Sequence, residues 1–389
     1  MALDFNLVGQ QVKQMGGALR ESADDRRERI ERARAALDEH SDNWAEWRDR
    51  AGAVYDKSPW LLAAPAEPLA SRHPLPACPP TYNLAAVDGS QIDLDRHGAA
   101  ECFLINLGLV LLRYGDGAEC QLRSTPRLYY QEDEVVLRDN NGRQYTMAGP
   151  LVHAERDTLE GVALAHLAAE LALDAPRIAV QDGTLIRWPL SGLDTWVRDH
   201  FLERYLAGLS LLRDLAVPTC SYISRPRTPE VTGLARLLAD PGFAKVNKPN
   251  GAGDPYRGLN DRDLFGDGRL REGERSALFK SLSKINAEHY GEHAIYFFYL
   301  HVGRELVRVE LPEWAATDPA RRDLVHAIAY DQAQRGGGYP VSLARAHEQA
   351  VVRETDRRVF RQMIEATLWH ARLQGGDSLK AAAKEMQLV

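Results

Sequence analysis

Polar and apolar positions change rhythm several times along this chain, and each change predicts an element. Up to about residue 56 the segment is polar and helix-favouring, with Ile30, Ala33, Leu37, Trp44 and Trp47 recurring at roughly helical spacing behind the charged run Asp24 to Arg29. A long amphipathic arm is expected there. Seven prolines between Pro59 and Pro80 then break regular structure until Tyr82. Short β-type runs follow at Asn83 to Val87, Ala100 to Tyr114 and Glu119 to Arg123, the last two separated by the turn Gly115-Asp116-Gly117, which predicts an antiparallel meander. Helical periodicity takes over from Glu155 to Leu173, with Leu159, Val162, Ala163, Leu167 and Leu171 on one face, and stops before Pro176.

The remainder alternates. A buried strand is expected at Arg177 to Gln181, a helix at Arg198 to Leu215, a strand at Thr219 to Ile223 and a helix at Pro229 to Leu238. A Gly/Pro/Asn/Asp-rich loop runs from Asp240 to Asp267, strands from Ala294 to Val302 and Leu306 to Leu311, and helices from Pro319 to Gln334 and Val341 to Ala371. Three strands, a helix, then alternating strands and helices is the element order of an α/β protein with an RNase H-like core: a mixed central sheet flanked by helices, with a helical N-terminal arm and extra C-terminal helices. The expected division is an arm and linker over residues 1–80 and a core domain over 81–389.

Composition narrows the class. A formal charge of −7 argues against a protein that coats nucleic acid by bulk attraction, so any such contact must use local basic patches. Between Arg225 and Lys284 there are 12 basic and 8 acidic residues, one such patch, with an ordinary solvated surface as the alternative. Tyr256, Tyr290, Phe297 and Phe298 are candidates for stacking on bases, although strand aromatics such as Phe297 and Phe298 more often fill a core. The four cysteines stand far apart with no C-x-x-C pair, which suggests neither a zinc site nor a disulfide framework. No secretory signal or spanning segment is recognisable, so a cytoplasmic protein without membrane association is expected.

The chemistry lies in a turn that occurs twice. Leu84-Ala-Ala-Val-Asp-Gly-Ser-Gln91 ends an apolar strand on Asp88, and Ile178-Ala-Val-Gln-Asp-Gly-Thr-Leu185 repeats the pattern with Asp182. A single Asp-Gly-Ser turn is most simply an Asx turn closing a strand. Two of them on strands that pair side by side would bring two carboxylates to one edge, where they repel unless a hard cation such as Mg²⁺ or Mn²⁺ neutralises them. Glu155, Glu160 and Glu170 on the intervening helix are candidates for a third, Glu160 among small and apolar neighbours, with a solvated helical glutamate as the plain alternative. No G-x-x-x-x-G-K-[ST] occurs, so the chain carries no P-loop motor.

These two turns, with the G-E-R-S-x-L-F stretch at Gly273 to Phe279 and G-Y-P-x-x-L-x-x-A-H at Gly338 to His347, resemble the NurA family of archaeal and bacterial nucleases over about Leu84 to Ala350. The resemblance implies an RNase H-like metal-dependent deoxyribonuclease, a 5′–3′ exonuclease and single-strand endonuclease acting in DNA end resection and double-strand break repair. It implies a homodimer using two Mn²⁺ or Mg²⁺ ions per site on single-stranded DNA and duplex ends, alongside a HerA-like hexameric ATPase. By motif it implies Asp88, Glu160 and Asp182 as metal ligands, His347 as a further ligand or proton carrier, and Tyr339 at the site. Arg225 stands where the family often has lysine; a guanidinium suits a phosphate but not a proton-donor role. Two other classes were weighed: a non-catalytic subunit regulating a HerA-like ATPase, which leaves a repulsive acidic pair unexplained, and an actin-like or sugar-kinase-like phosphotransferase, whose D-x-G-[ST] turns place a residue between Asp and Gly.

Overall fold

The computed structural model describes residues 4–93, 100–242, 251 and 253–371. Two compact units arise, one from Met1–Pro76 with Ile223–Ala316, the other from Ala77–Tyr222 with Thr317–Val389.

The second unit is built on five strands. β1 (Tyr82–Ile92), β2 (Phe103–Tyr114) and β3 (Glu119–Tyr129) form the expected meander, β1 pairing β2 from Tyr82↔Tyr114 to Ile92↔Leu104 and β2 pairing β3 from Phe103↔Tyr129 to Arg113↔Glu119. Gly115 and Gly117 in the β2–β3 turn both take positive φ, open to glycine at little steric cost. The chain then crosses over through α1 (Pro150–Ala169) to β4 (Arg177–Asp182), which runs parallel to β1, and through α2 (Thr195–Asp214) to β5 (Thr219–Ile223), parallel to β4. The resulting order, β3-β2-β1-β4-β5, is the RNase H-like arrangement. Three helices complete the unit: α3 (Pro319–Arg335), α4 (Val341–Ala350) and α5 (Glu354–His370).

β1 is buried from Tyr82 to Val87 because helices cover it on both faces. A Cβ on Gly89 would meet Glu160 of α1, whereas the neighbouring Ser90 hydroxyl donates to the Ala350 carbonyl of α4 at 2.5 Å. Successive strand residues point to opposite faces, so α1 and α4 lie on opposite sides of the sheet. β3, in contrast, is exposed at every residue but Tyr129, and Pro126 sits within it, as an edge strand permits.

Some expectations shift. α1 begins at Pro150, a residue suited to the first helical turn, and buries Val152, Ala154, Thr158, Gly161, Leu164, Ala165 and Ala168, while Leu159, Val162 and Ala163 are only partly covered. The reason is that α1 packs against α2 as well as the sheet, and Gly161 lies under the ring of Tyr205. The helix expected from Val341 to Ala371 is two helices. The chain turns extended at Val351, and the Asp356 carboxylate accepts from the Arg353 backbone N–H at 2.8 Å to start α5 afresh.

In the first unit, helices Phe5–Glu39 and Trp44–Val54 supply Ile30, Ala33, Leu37, Trp47 and Ala51 to an apolar core shared with helix Glu230–Ala239 and strands Phe279–Ser281, Ile295–His301 and Leu306–Pro312. Two short strands, Ala63–Pro65 and Arg72–His73, form within the proline-rich stretch. Arg308 is buried there over the Phe297 ring and bridges Glu230 at 3.0 Å and Glu310 at 2.8 Å. Tyr256, Tyr290, Phe297 and Phe298 are all buried, so the base-stacking alternative fails and the core one holds.

Gly108, opposite Asp88 on β2, lets α4 lie against the sheet: a Cβ there would strike the Ala346 carbonyl and come within 2.6 Å of the Ala350 nitrogen. Gly108→Ala is expected to lower the unfolding free energy by roughly 1–3 kcal/mol. The measurement is urea denaturation, where the midpoint should fall at unchanged slope; an unmoved midpoint would mean that α4 yields without strain.

Candidate active site

The site forms where β1 and β4 leave the sheet. Their parallel register pairs Val87 with Gln181, so the next residues, Asp88 and Asp182, stand side by side on strands about 4.8 Å apart. Being in phase, both side chains project to the face that carries α4. Each aspartate accepts from the backbone N–H of its following glycine, Gly89 and Gly183, at 2.9 Å. The Asx-turn reading and the paired-carboxylate reading thus describe the same residues.

α4 brings the next two groups. Its small face of Leu343, Ala346 and Ala350 is buried. Its last carbonyls are taken up by side chains from the sheet: Ser90 on Ala350, and the Asn106 amide on Ala350 at 2.8 Å and Gln349 at 3.1 Å. Thus clamped, the final turn sets His347 Nδ1 2.8 Å from Asp88 Oδ2 while the imidazole stays 69% exposed. In the turn before α4, Tyr339 hydrogen-bonds Asp182. Its ring lies edge-on to Tyr222 of β5, whose hydroxyl donates to the Gly338 carbonyl at 3.1 Å.

Glu160 approaches from the opposite face. Of the three glutamates of the intervening segment, Glu155 is held by Arg204 at 2.6 and 2.9 Å and Glu170 by Arg123 at 2.8 Å. Only Glu160 reaches the Asp88 turn, because Gly89 has no side chain: a Cβ there would lie 2.6 Å from Glu160 Oε1. Arg156, one helical turn earlier, places its Nε 3.2 Å from that oxygen and its terminal nitrogen 2.7 Å from Asp157. Arg156 and Asp157 escaped sequence reasoning, since an adjacent Arg-Asp pair on a helix normally reads as solvated surface; their position one turn before Glu160 was the available signal.

Electrostatics follow from this crowding. Burial, reinforced by the negative charges of Asp157 and Asp88 and opposed by Arg156 and Arg187, pushes the Glu160 carboxyl up to about 8. Asp182 is also raised: loss of solvation on its protein-facing side outweighs the Tyr339 and Gly183 hydrogen bonds, even though the residue as a whole counts as exposed, and Asp88 adds to the effect. The Tyr339 phenol is driven upward by burial and by Asp182, so it stays a neutral donor.

Among the described residues, no three His, Cys, Asp or Glu side chains converge into a ready metal cage. The donor chemistry nonetheless suits a hard cation. Asp88 and Asp182 are adjacent oxygen donors that repel one another, and Mg²⁺-type ions commonly take only one or two carboxylates, completing their shell with water and phosphate oxygens.

The expected DNA-contacting residues lie in the first unit. Arg225 adopts a positive φ, with its side chain 81% exposed and 3.9 Å from Glu305. The basic excess around it is thinner at the surface than in the sequence: Arg236 and Arg275 are buried on Asp254 and Glu67, and Arg269 is paired with Asp38. Lys245 and Lys248 lie outside the described residues.

The NurA domain model matches residues 82–352, well over half of the chain. No curated protein matches it. Among solved structures the chain is similar to an Argonaute from Aquifex aeolicus at 11% identity and a TM-score of 0.27. That alignment covers 69% of this chain and 28% of the other, so the chain spans little more than a quarter of that protein.

The raised Glu160 carboxyl sets a pH dependence with a definite sign. An unfolded glutamate titrates near about 4.3 and the folded one at about 8, so the folded state binds the proton more tightly. Its stabilising contribution is complete below the lower value and is lost as pH rises through the upper one. In EDTA, wild-type melting temperature should fall across that window. Glu160→Gln, which keeps the shape of the protonated form, should flatten the fall and melt higher than wild type at about pH 9; parallel curves for the two proteins would contradict the assignment.

Proposed function

This chain belongs to the NurA family, a family of nucleases, and we propose that it is a metal-dependent deoxyribonuclease whose active centre is the Asp88, Asp182, Glu160, His347 and Tyr339 group. The observation that carries this reading is the parallel register placing Asp88 beside Asp182, with an imidazole, a phenol and a buried carboxylate gathered around them. Like charges held this close are stabilised by a divalent cation, and phosphodiester hydrolysis is a reaction such an arrangement serves.

Two Mn²⁺ or Mg²⁺ ions, held by Asp88 and Asp182 with Glu160 and His347 as further ligands, would supply an activated water and charge opposite the leaving oxygen. The protein groups divide the remaining work. Tyr339 stays protonated and fixes one Asp182 oxygen. Asp88 fixes the His347 ring through Nδ1, which leaves Nε2 on the exposed side to ligate or to carry a proton. The exposed mouth suits a polymer, since a strand can lie across it without threading a closed cavity. Arg225 is a candidate phosphate contact.

The substrates proposed are single-stranded DNA and duplex ends, cut by 5′–3′ exonuclease and single-strand endonuclease activity during end resection and double-strand break repair. With no P-loop in the sequence, a HerA-type ATPase would drive translocation. A homodimer is proposed as the working unit. For protein contacts, the leading half of helix Phe5–Glu39 is the favoured element, because Phe5, Leu7, Val12 and Met15 are exposed there. The trailing half is committed to the core through Ile30, Ala33 and Leu37.

Asp88→Ala and Asp182→Ala should each reduce Mn²⁺-dependent degradation of end-labelled linear DNA by roughly a hundredfold or more, with circular dichroism unchanged. Wild-type digestion should stop in EDTA; undiminished cleavage by either variant would defeat the reading. Deleting residues 1–15 should leave nuclease activity intact while weakening co-purification with a HerA-type ATPase or shifting the mass in light scattering, and no change in either would remove that helix from the interface.

A further inference from the structure

Arg156 is not an ordinary helix-surface cation. Pairs four apart on a helix are usually solvated and weak, but here the Glu160 side chain is 10% exposed and that of Arg156 26%. The Arg156 stem packs on the Gly89 turn, where a Cβ would meet its Cγ at 2.9 Å, so a full positive charge sits beside Glu160 with Asp88 as an electrostatic neighbour. Its two anchors are unequal. The contact to Asp157 is 2.7 Å, while that to Glu160 is a single 3.2 Å approach through Nε. A guanidinium so held can release Glu160 without losing its place.

From this geometry we propose that Arg156 is a resident counter-ion, which neutralises Glu160 in the metal-free protein and is displaced from it when a divalent cation arrives. The proposal rests on the metal-dependent reading of the site and adds a regulatory element to it: the cation must compete with a built-in positive charge. Two cations near one carboxylate repel each other, so affinity is lower than the acidic residues alone would give. In return, the fold keeps its acidic residues together before loading.

Manganese titration by calorimetry, joined to thermal melting in EDTA and in saturating Mn²⁺, tests this without reference to cleavage. Arg156→Gln, and Arg156→Met with a stem of similar bulk against Gly89, should bind Mn²⁺ roughly fivefold to tenfold more tightly. Both should melt below wild type in EDTA, with the gap narrowing in Mn²⁺. Arg156→Lys, which keeps the charge, should stay near wild-type affinity. Equal or weaker binding by the neutral variants, while wild type binds, overturns the counter-ion role alone. A wild type that takes up no Mn²⁺ overturns the metal site together with it. If both neutral variants fail to fold in either condition, the guanidinium is a structural requirement and the role is likewise rejected.

Discussion

The parallel pairing of β1 with β4 is the constraint from which the rest of the site descends. Had the register of Val87 on Gln181 slipped by one residue, Asp88 and Asp182 would have projected to opposite faces of the sheet. Held in phase, they create a local excess of negative charge that the surrounding structure must manage. Each neighbouring element contributes to that management: glycine N–H groups from the two turns, the Tyr339 hydroxyl, the His347 ring and, around the sheet end, Arg156.

Two glycines set how closely the helices can serve that pair. Gly108 admits the backbone of α4 and therefore His347; Gly89 admits the side chain of Glu160 from the other face. Neither has a positive φ, so the requirement is space, not backbone freedom. The sheet is thin at these two points, and groups from both of its faces reach one set of carboxylates.

Much of this was legible in the sequence, and the limits have physical causes. The Asp-Gly-hydroxyl turn occurring twice announced the carboxylate pair because strand, turn and acid are all local. The meander, the crossover helices and β5 followed from periodicity for the same reason. The buried face of α1 was misjudged because that helix serves two neighbours, and period alone cannot apportion a mostly apolar surface between them. The break at Val351 was hidden because Val351 to Arg353 contain neither proline nor glycine; it depends on the Asp356 cap. Nor could pattern choose among Glu155, Glu160 and Glu170, since the choice turned on which one met a glycine and which two met arginines far away in sequence.

β3 carries a consequence of another kind. Eleven residues of strand, wet on both sides, form the sort of border onto which stray chains can zip and precipitate. This border is defended by chemistry: Arg123 and Arg127 keep charge along it, tethered by Glu170 and Glu134, and Pro126 interrupts the row of N–H groups that a foreign strand would seek. The sheet can therefore end in open water and still remain a boundary.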